Sequence, residues 1–292
     1  MILENKDCLE FLNNLGDASV DLVVVDPPYF EIVKNDWDNQ WKSEQEYLGW
    51  CNKWTRECIR VLKPGGCFYC WGTTKTDTFL RYKLDVLNKI AGLFYKNWIV
   101  WAYDWGGRTK KTFPRKHEDL LMYSKGKEFL FNAEDVSVER AVKTNMNIQR
   151  KKNLLKKKLE GKAFNDKDVH SWEKYKFHKL EPSKYGDVLK VLEEKDIKFQ
   201  KGKIPVDVWF KNNHTTAKEY AGWHPTQKPI ELLERIVKAN TNEGDVVLDC
   251  FSGSGSTAIA CNNTNRSFVG CELDKDYYKK SLKRIKKLSE VK

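Results

Sequence analysis

No run of eighteen consecutive apolar residues occurs in this 292-residue chain, and its start carries no charged-then-apolar leader. Both absences predict a soluble, unexported protein that does not enter a membrane. No internal repeat is visible either. A second C-x-x-C pair at metal spacing is also missing, and the single pair, Cys67 and Cys70, sits in Gly66-Cys67-Phe68-Tyr69-Cys70-Trp71, which reads as a strand. No metal is therefore expected. The eight cysteines (8, 51, 58, 67, 70, 250, 261 and 271) fall mostly inside apolar or strand-like segments. That placement suits buried free thiols in a reducing cytoplasm better than a disulfide framework.

Charge is present in excess of one sign, and unevenly. Of the net +11, residues 141–203 contribute 18 Lys/Arg against 9 Asp/Glu, and residues 275–292 contribute 8 against 2. The remainder is slightly acidic. A basic middle segment and a basic tail on a nearly neutral body suit a polyanionic partner, although a solvated lysine-rich face would have the same composition. In the middle segment Phe164, Trp172, Tyr175, Phe177, Tyr185 and Phe199 are scattered among the lysines. A surface for phosphates and bases fits that mixture, and so does a weakly packed linker.

Along the rest of the chain, strand-like and helix-like stretches alternate. Residues 7–15 show a helix face, 21–26 a strand, and 44–62 a helix ended by the turn Lys63-Pro64-Gly65-Gly66. Strands are predicted at 67–71, 97–103 and 117–124, with a helical stretch at 77–92. From about 132 the pattern breaks into an insertion with its own small structure or partial disorder. Regular structure returns at Trp223. Pro229 opens a helix at its N1 position, 245–249 and 267–273 are strands, and 275–290 form a basic helix. Such alternation predicts an α/β sheet with crossover helices.

Two constellations carry chemistry. Leu22-Val23-Val24-Val25 runs directly into Asp26-Pro27-Pro28-Tyr29. A parallel strand ending this way delivers a carboxylate, proline carbonyls with no competing N–H, and a flat ring to the carboxyl edge of a sheet, where open α/β folds bind ligands. These groups match an amino-bearing planar base, while a rigid turn with a surface tyrosine is the plainer alternative. The second constellation is Asp249-Cys250-Phe251-Ser252-Gly253-Ser254-Gly255, a strand, a glycine turn and a helix start, with Glu272 ending the next strand 17 residues beyond Gly255. It lacks the third glycine of a dinucleotide fingerprint and the Gly-Lys-Ser/Thr of a phosphate loop. An adenosine ligand with a carboxylate tail fits it better, Glu272 standing where an acid accepts ribose hydroxyls.

Aromatic turn first, basic insert second and Phe-x-Gly-x-Gly last resembles the beta class of amino-directed DNA methyltransferases over residues 3–131 and 220–280. Lesser matches are Asp7-Cys8, Val61-Leu62-Lys63-Pro64-Gly65-Gly66, His117-Glu118-Asp119-Leu120-Leu121 and His224-Pro225-Thr226-Gln227-Lys228-Pro229. The resemblance implies a Rossmann-like S-adenosylmethionine-dependent methyltransferase fold in circularly permuted motif order. It divides the chain into a target-base half (1–131), a target-recognition insert (132–219) and a cofactor-binding half (220–292). It implies methyl transfer from S-adenosylmethionine to the exocyclic amine of an adenine flipped out of double-stranded DNA, without metal or covalent base intermediate. Asp26 and the Pro27 carbonyl would accept from the amine, with Pro28 shaping the turn and Tyr29 stacking on the base. Asp7, Cys8, Lys228, Asp249, Phe251, Ser252, Gly253, Gly255, Glu272 and Leu273 would surround the cofactor. Among these, Glu272 would hold the ribose, Asp7 the adenine amine and Lys228 the carboxylate. Lys151, Lys152, Lys156 and Lys157 would meet DNA phosphates.

Alternatives stay open at several positions. Asp7 would serve equally as a helix cap. Phe30 follows the tyrosine where many adenine-specific members have asparagine, whereas cytosine-modifying members more often have serine in place of Asp26. Segment 35–41 would form a mobile loop over the base. The resemblance also makes a homodimer plausible and suggests a cytoplasmic enzyme of bacterial, archaeal or phage origin, restriction-linked or solitary. Rival readings are cytosine N4 methylation, methylation of RNA or of a protein glutamine, and a silent DNA-binding regulator. The RNA and glutamine families usually carry the cofactor glycines before the aromatic turn, the reverse of the order here.

Overall fold

β-branched residues set the centre of the sheet. Its strands are β1 (Ile2–Glu4), β2 (Val20–Val25), β3 (Leu62–Gly72), β4 (Leu93–Ala102), β5 (His117–Lys125), β6 (Val208–Phe210), β7 (Val246–Asp249) and β8 (Ser267–Cys271). The structure, a computed structural model, describes residues 1–32, 36–104, 109, 111–138, 146–200, 205–211 and 219–289. Among these residues the strand order is β1-β8-β7-β2-β3-β5-β4-β6. Pairing is parallel from β1 through β3, antiparallel for β3/β5 and β5/β4, and parallel again for β4/β6. The expected α/β sheet is thus mixed, with an antiparallel wing at β3, β5 and β4.

β2 is buried on both faces, and its period of two divides it between two cores. Val23 and Val25 face one core, with Phe11 and Leu12 of α1 (Cys8–Asn13) and Trp54 and Cys58 of α2 (Glu44–Val61). Leu22 and Val24 face the other, with Leu232 and Ile236 of α7 (Ile230–Asn240), Ile259 of α8 (Ser256–Asn263) and Ile285 of α9 (Lys275–Ser289). Each fully buried valine or leucine contributes about 1.5–3 kcal/mol. Cys67 and Cys70 of β3 fall in opposite cores, which separates the C-x-x-C pair, and all eight cysteines are buried free thiols.

Several elements differ from the sequence reading. β1 and the short β6 carried too few residues to show a period. Lys63-Pro64-Gly65-Gly66 is an excursion inside β3 rather than a turn before it: the register jumps from Val20↔Leu62 to Leu22↔Cys67, with Gly65 at φ 80°. The carbonyls at the end of α2 are capped by the Lys125 ammonium, 2.7 Å from both Ile59 O and Leu62 O. Stretch 77–92 is a single α turn, α3 (Thr78–Arg81), continued by wider and tighter turns to Lys89. Pro229 is the N-cap of α7, one residue outside the predicted N1 position.

Two compact units divide the chain, one of Met1–Asp135 with Val206–Lys292 and one of Val136–Pro205. The second unit holds α4 (Met146–Leu159), α5 (Asp166–Lys174) and α6 (Tyr185–Gln200) around Leu154, Leu155, Phe177, Tyr185 and Leu192. Phe164, Trp172 and Tyr175 pack against that cluster. These rings therefore build a small core of their own and are not spread over a surface for bases. The Phe199 side chain lies outside the described residues.

Candidate active site

Connections diverge between β7 and β2. α8 leads from β7 toward β8 on one side, and α2 leads from β2 toward β3 on the other. Where the order reverses, the loops at the carboxyl ends of neighbouring strands separate and leave a crevice. Here it is a cavity of about 930 Å3, inside the first unit, and both sequence constellations open into it.

Its target-side wall is the turn after β2. Tyr29 donates its hydroxyl to Asp26 Oδ1 at 2.6 Å. Burial pushes that phenol well above its ordinary value, so it stays a donor. The Pro28 carbonyl accepts from Tyr47 at 3.0 Å, and the Pro27 carbonyl has no partner among the described residues. Of the two expected free acceptors, one remains. Phe30 packs on Tyr47, centroids 5.7 Å apart, and does not line the cavity. Part of the predicted loop 35–41 is built into the fold: Asp38 Oδ2 accepts from the Ile32 N–H at 2.7 Å, and Trp41 is buried against Tyr47 and Trp50. Asn35 lies outside the described residues.

Lys228 reaches the same wall. Its ammonium lies 2.5 Å from Asp26 Oδ2 and 3.1 Å from Glu118 Oε2, and it is only 5% exposed. Burial pulls this ammonium down, but the two carboxylates outweigh burial and hold it above the ordinary lysine value. Burial pushes the Glu118 carboxyl up, with Lys228 opposing. The cofactor carboxylate assigned to Lys228 by resemblance is thus matched here by two protein carboxylates. Neighbouring Asp119 is committed elsewhere, to Trp98 Nε1 at 2.7 Å and the Thr74 N–H at 3.1 Å.

The glycine turn forms the other wall. Asp249 accepts from the Phe251 N–H (3.0 Å) and the Thr257 hydroxyl (2.6 Å), and burial pushes it up to about 7. Glu272 accepts from the Gly253 N–H at 2.7 Å and the Asp274 N–H at 2.9 Å. Burial pushes its carboxyl up against those bonds. Gly253 has φ 47°, and a Cβ there would stand 2.7 Å from His224 Nε2. Gly255, also left-handed at φ 76°, faces Ile285 and Ser281 of α9 and does not line the cavity. It serves helix packing. Asp7 caps α1 through Oδ1 (Leu9 N–H, 2.8 Å) while also lining the cavity, as do Cys8, Phe251, Ser252 and the exposed Leu273.

Glu118 and His224 lay inside matched motifs without assigned chemistry. His224 lines the cavity beside Tyr277, ring centroids 4.8 Å apart, and burial pushes it down to about 4, so it is neutral at pH 7. Its Nδ1 and the Ser252 hydroxyl are buried without a hydrogen-bond partner among the described residues, polar atoms lining a ligand cavity. The lysines Lys151, Lys152, Lys156 and Lys157 belong to α4 of the second unit. Lys156 pairs with Glu193 at 3.4 Å, Lys157 with Asp168 at 2.7 Å, and Lys151 sits over the Tyr175 ring. No group of three or more His, Cys, Asp or Glu among the described residues is arranged to hold a metal, and no described helix is long and apolar enough to cross a membrane.

A doubly wound sheet with an aromatic acid turn and a glycine turn at its switch point defines a Rossmann-like ligand-binding fold. Its fold matches the cytosine-N4-specific PvuII DNA methyltransferase (TM-score 0.63, 16% identity, 99% of this chain and 90% of that one). It also matches the M1.HpyAVI–SAM complex (0.56, 21%, 97% and 98%). The chain belongs to the N6/N4 DNA methylase family, whose model matches residues 20–283. It is 30% identical to the type II methyltransferase M.HpaI of Haemophilus parainfluenzae, covering 96% of this chain and 72% of that protein. It is 32% identical to the DNA adenine methyltransferase YhdJ of Escherichia coli K12, covering 96% and 80%.

Proposed function

We propose that this DNA methyltransferase moves a methyl group from S-adenosylmethionine to the exocyclic amine of adenine flipped out of a specific duplex DNA sequence. The observation that carries the reading is one cavity shared by Asp26, Pro27 and the glycine turn, although Asp26 and Gly253 are far apart in the chain. The cavity lies within the range of about 300–1,000 Å3 usual for cofactor sites. Ser252 Oγ and His224 Nδ1, without a partner among the described residues, suit a polar ligand, and the Phe251 ring suits its apolar part.

When bound, S-adenosylmethionine supplies a methyl carbon made electrophilic by its sulfonium sulfur. Glu272, with both oxygens already oriented by backbone N–H groups, would hold the ribose, and the second oxygen of Asp7 would face the adenine amine. Asp26 Oδ2 and the Pro27 carbonyl would accept the two N–H bonds of the target amine, drawing its lone pair out of the ring. The Asp26 bond fixes the Tyr29 ring for stacking. Catalysis is then chiefly positioning. At the mouth, Lys75 and Arg115 have no carboxylate partner among the described residues and would meet phosphates beside the flipped base.

YhdJ, an adenine methyltransferase, and Asp26 itself favour adenine. The test is transfer of labelled methyl from S-adenosylmethionine to unmethylated DNA, followed by nucleoside analysis, with Asp26→Ala alongside. Label in N6-methyladenine, lost in Asp26→Ala while the cofactor still binds, is expected. Label in N4-methylcytosine overturns the base assignment, and no label in DNA overturns the reading.

A further inference from the structure

The Lys228 ammonium donates to Asp26 Oδ2 at 2.5 Å and to the Thr226 carbonyl at 3.3 Å, and it forms an ion pair with Glu118 Oε2 across 3.1 Å. Tyr29 occupies the other Asp26 oxygen, so the acid meant for an incoming amine already faces two donors. The segment carrying Lys228 is pinned by its neighbour: Gln227 accepts from the Ala221 N–H at 2.8 Å and donates to the Glu219 carbonyl at 3.0 Å. Lys228 also lies 5.5 Å from the Trp71 ring centroid. A buried lysine held this firmly against the acceptor of the reaction has a task there.

Building on the function proposed above, we propose that Lys228 is a positioning residue for Asp26: its ammonium stands in for the target amine on Oδ2, yields that place when the base enters, and is retained by Glu118. An amine and an ammonium present the same N–H donor to the same oxygen. The exchange breaks one hydrogen bond to Asp26 as another forms, and the cation stays beside two buried acids throughout. Without Glu118, Lys228 has one anion instead of two and resists displacement. Without Lys228, two carboxylates face each other with no cation between them, a situation in which one takes up a proton. Tyr29, Tyr103 and His224 are the other titratable groups facing the cluster, Asp119 and Asp249 add carboxyls, and Arg115 is a further cation.

The experiment compares the full-length protein with Lys228→Met, Glu118→Gln and the double variant. Lys228→Met should lose roughly 10- to 100-fold in kcat/KM for DNA at neutral pH, the range of a lost charge-assisted bond. S-adenosylmethionine affinity should stay within about twofold, the limit for a group that does not touch it. Its pH profile should gain a limb rising toward high pH that the wild type lacks. Adding Glu118→Gln should recover part of the loss and remove that limb, because the uncompensated pair is gone. A cofactor Kd weakened by the same factor as kcat/KM, or a double variant no better than the single, overturns the clamp. Should the wild type move no methyl to DNA, the function above fails separately. Infrared spectra still decide the clamp: a protonated-carboxyl band in Lys228→Met beyond the Asp249 band shared by all three proteins, and missing from the wild type and the double variant, supports it, and no added band overturns it.

Discussion

Individual side chains in this cavity hold two obligations at once. Glu272 is the clearest example. Its carboxylate fixes the Gly253 and Asp274 N–H groups and yet keeps lone pairs for ribose hydroxyls, since a carboxylate offers about four acceptor sites. Glu272→Ala therefore removes a charged acceptor and loosens the glycine turn together. The loss of a hydrogen bond to a charged group is about 1.5–3 kcal/mol, so S-adenosylmethionine should bind roughly 10- to 100-fold more weakly by calorimetry. An unchanged Kd would place the ribose elsewhere. Gly253→Ala attacks the same turn from the backbone, because φ 47° disfavours a side chain and the new Cβ would meet His224. The expected result is weaker cofactor binding and a lower Tm, from a strain of about 1–2 kcal/mol. A variant with both values unchanged would show that the turn tolerates a Cβ.

Elements give the basic charge its address. α4 carries Lys151, Lys152, Lys156 and Lys157, and the ion pairs of Lys156 and Lys157 with Glu193 and Asp168 are partly exposed. Exposed pairs are worth only about 0–1 kcal/mol, so exchanging a carboxylate for a DNA phosphate is cheap. Replacing Lys156 and Lys157 by Gln should weaken binding to all DNA sequences and reduce the slope of log K against log salt by about 2, near one per lysine. Titrations at several salt concentrations check this, and identical slopes would remove α4 from the DNA interface. Lys157 also holds Asp168, which closes the capping box of α5, so a modest drop in Tm is expected too.

For the whole molecule, burial at the switch point links the site to stability. Asp249, ordinarily near 3.8, is pushed up to about 7, so the folded state holds its proton more tightly than the unfolded one. Its contribution to stability is full below the unfolded value and is lost as pH rises through about 7. His224, pushed from 6.5 down to about 4, runs oppositely: its contribution is present above 6.5 and lost as pH falls through about 4. Over the shared window the two oppose each other. Asp249→Asn keeps an acceptor for the Phe251 N–H and a partner for Thr257 while removing one of the two titrations. Its Tm relative to wild type should climb between about pH 4 and pH 7. A constant difference in scanning calorimetry would mean that Asp249 is not raised.

The order of motifs, the β-branched run into Asp26, the glycine turn before α8 and the placement of Glu272 at a strand end were legible in the sequence. Strand period, helix stops and turn residues are local properties, set by the φ/ψ range and burial pattern of a few neighbouring residues. What only the tertiary structure decided was non-local. Lys228 against Asp26 and Glu118, Gly255 against α9, the insert aromatics turned inward on one another and the antiparallel wing all depend on pairings between distant segments. Charge and aromaticity can be counted along a chain, but whether a lysine meets a cofactor or a buried acid is settled by which strand ends the sheet brings together.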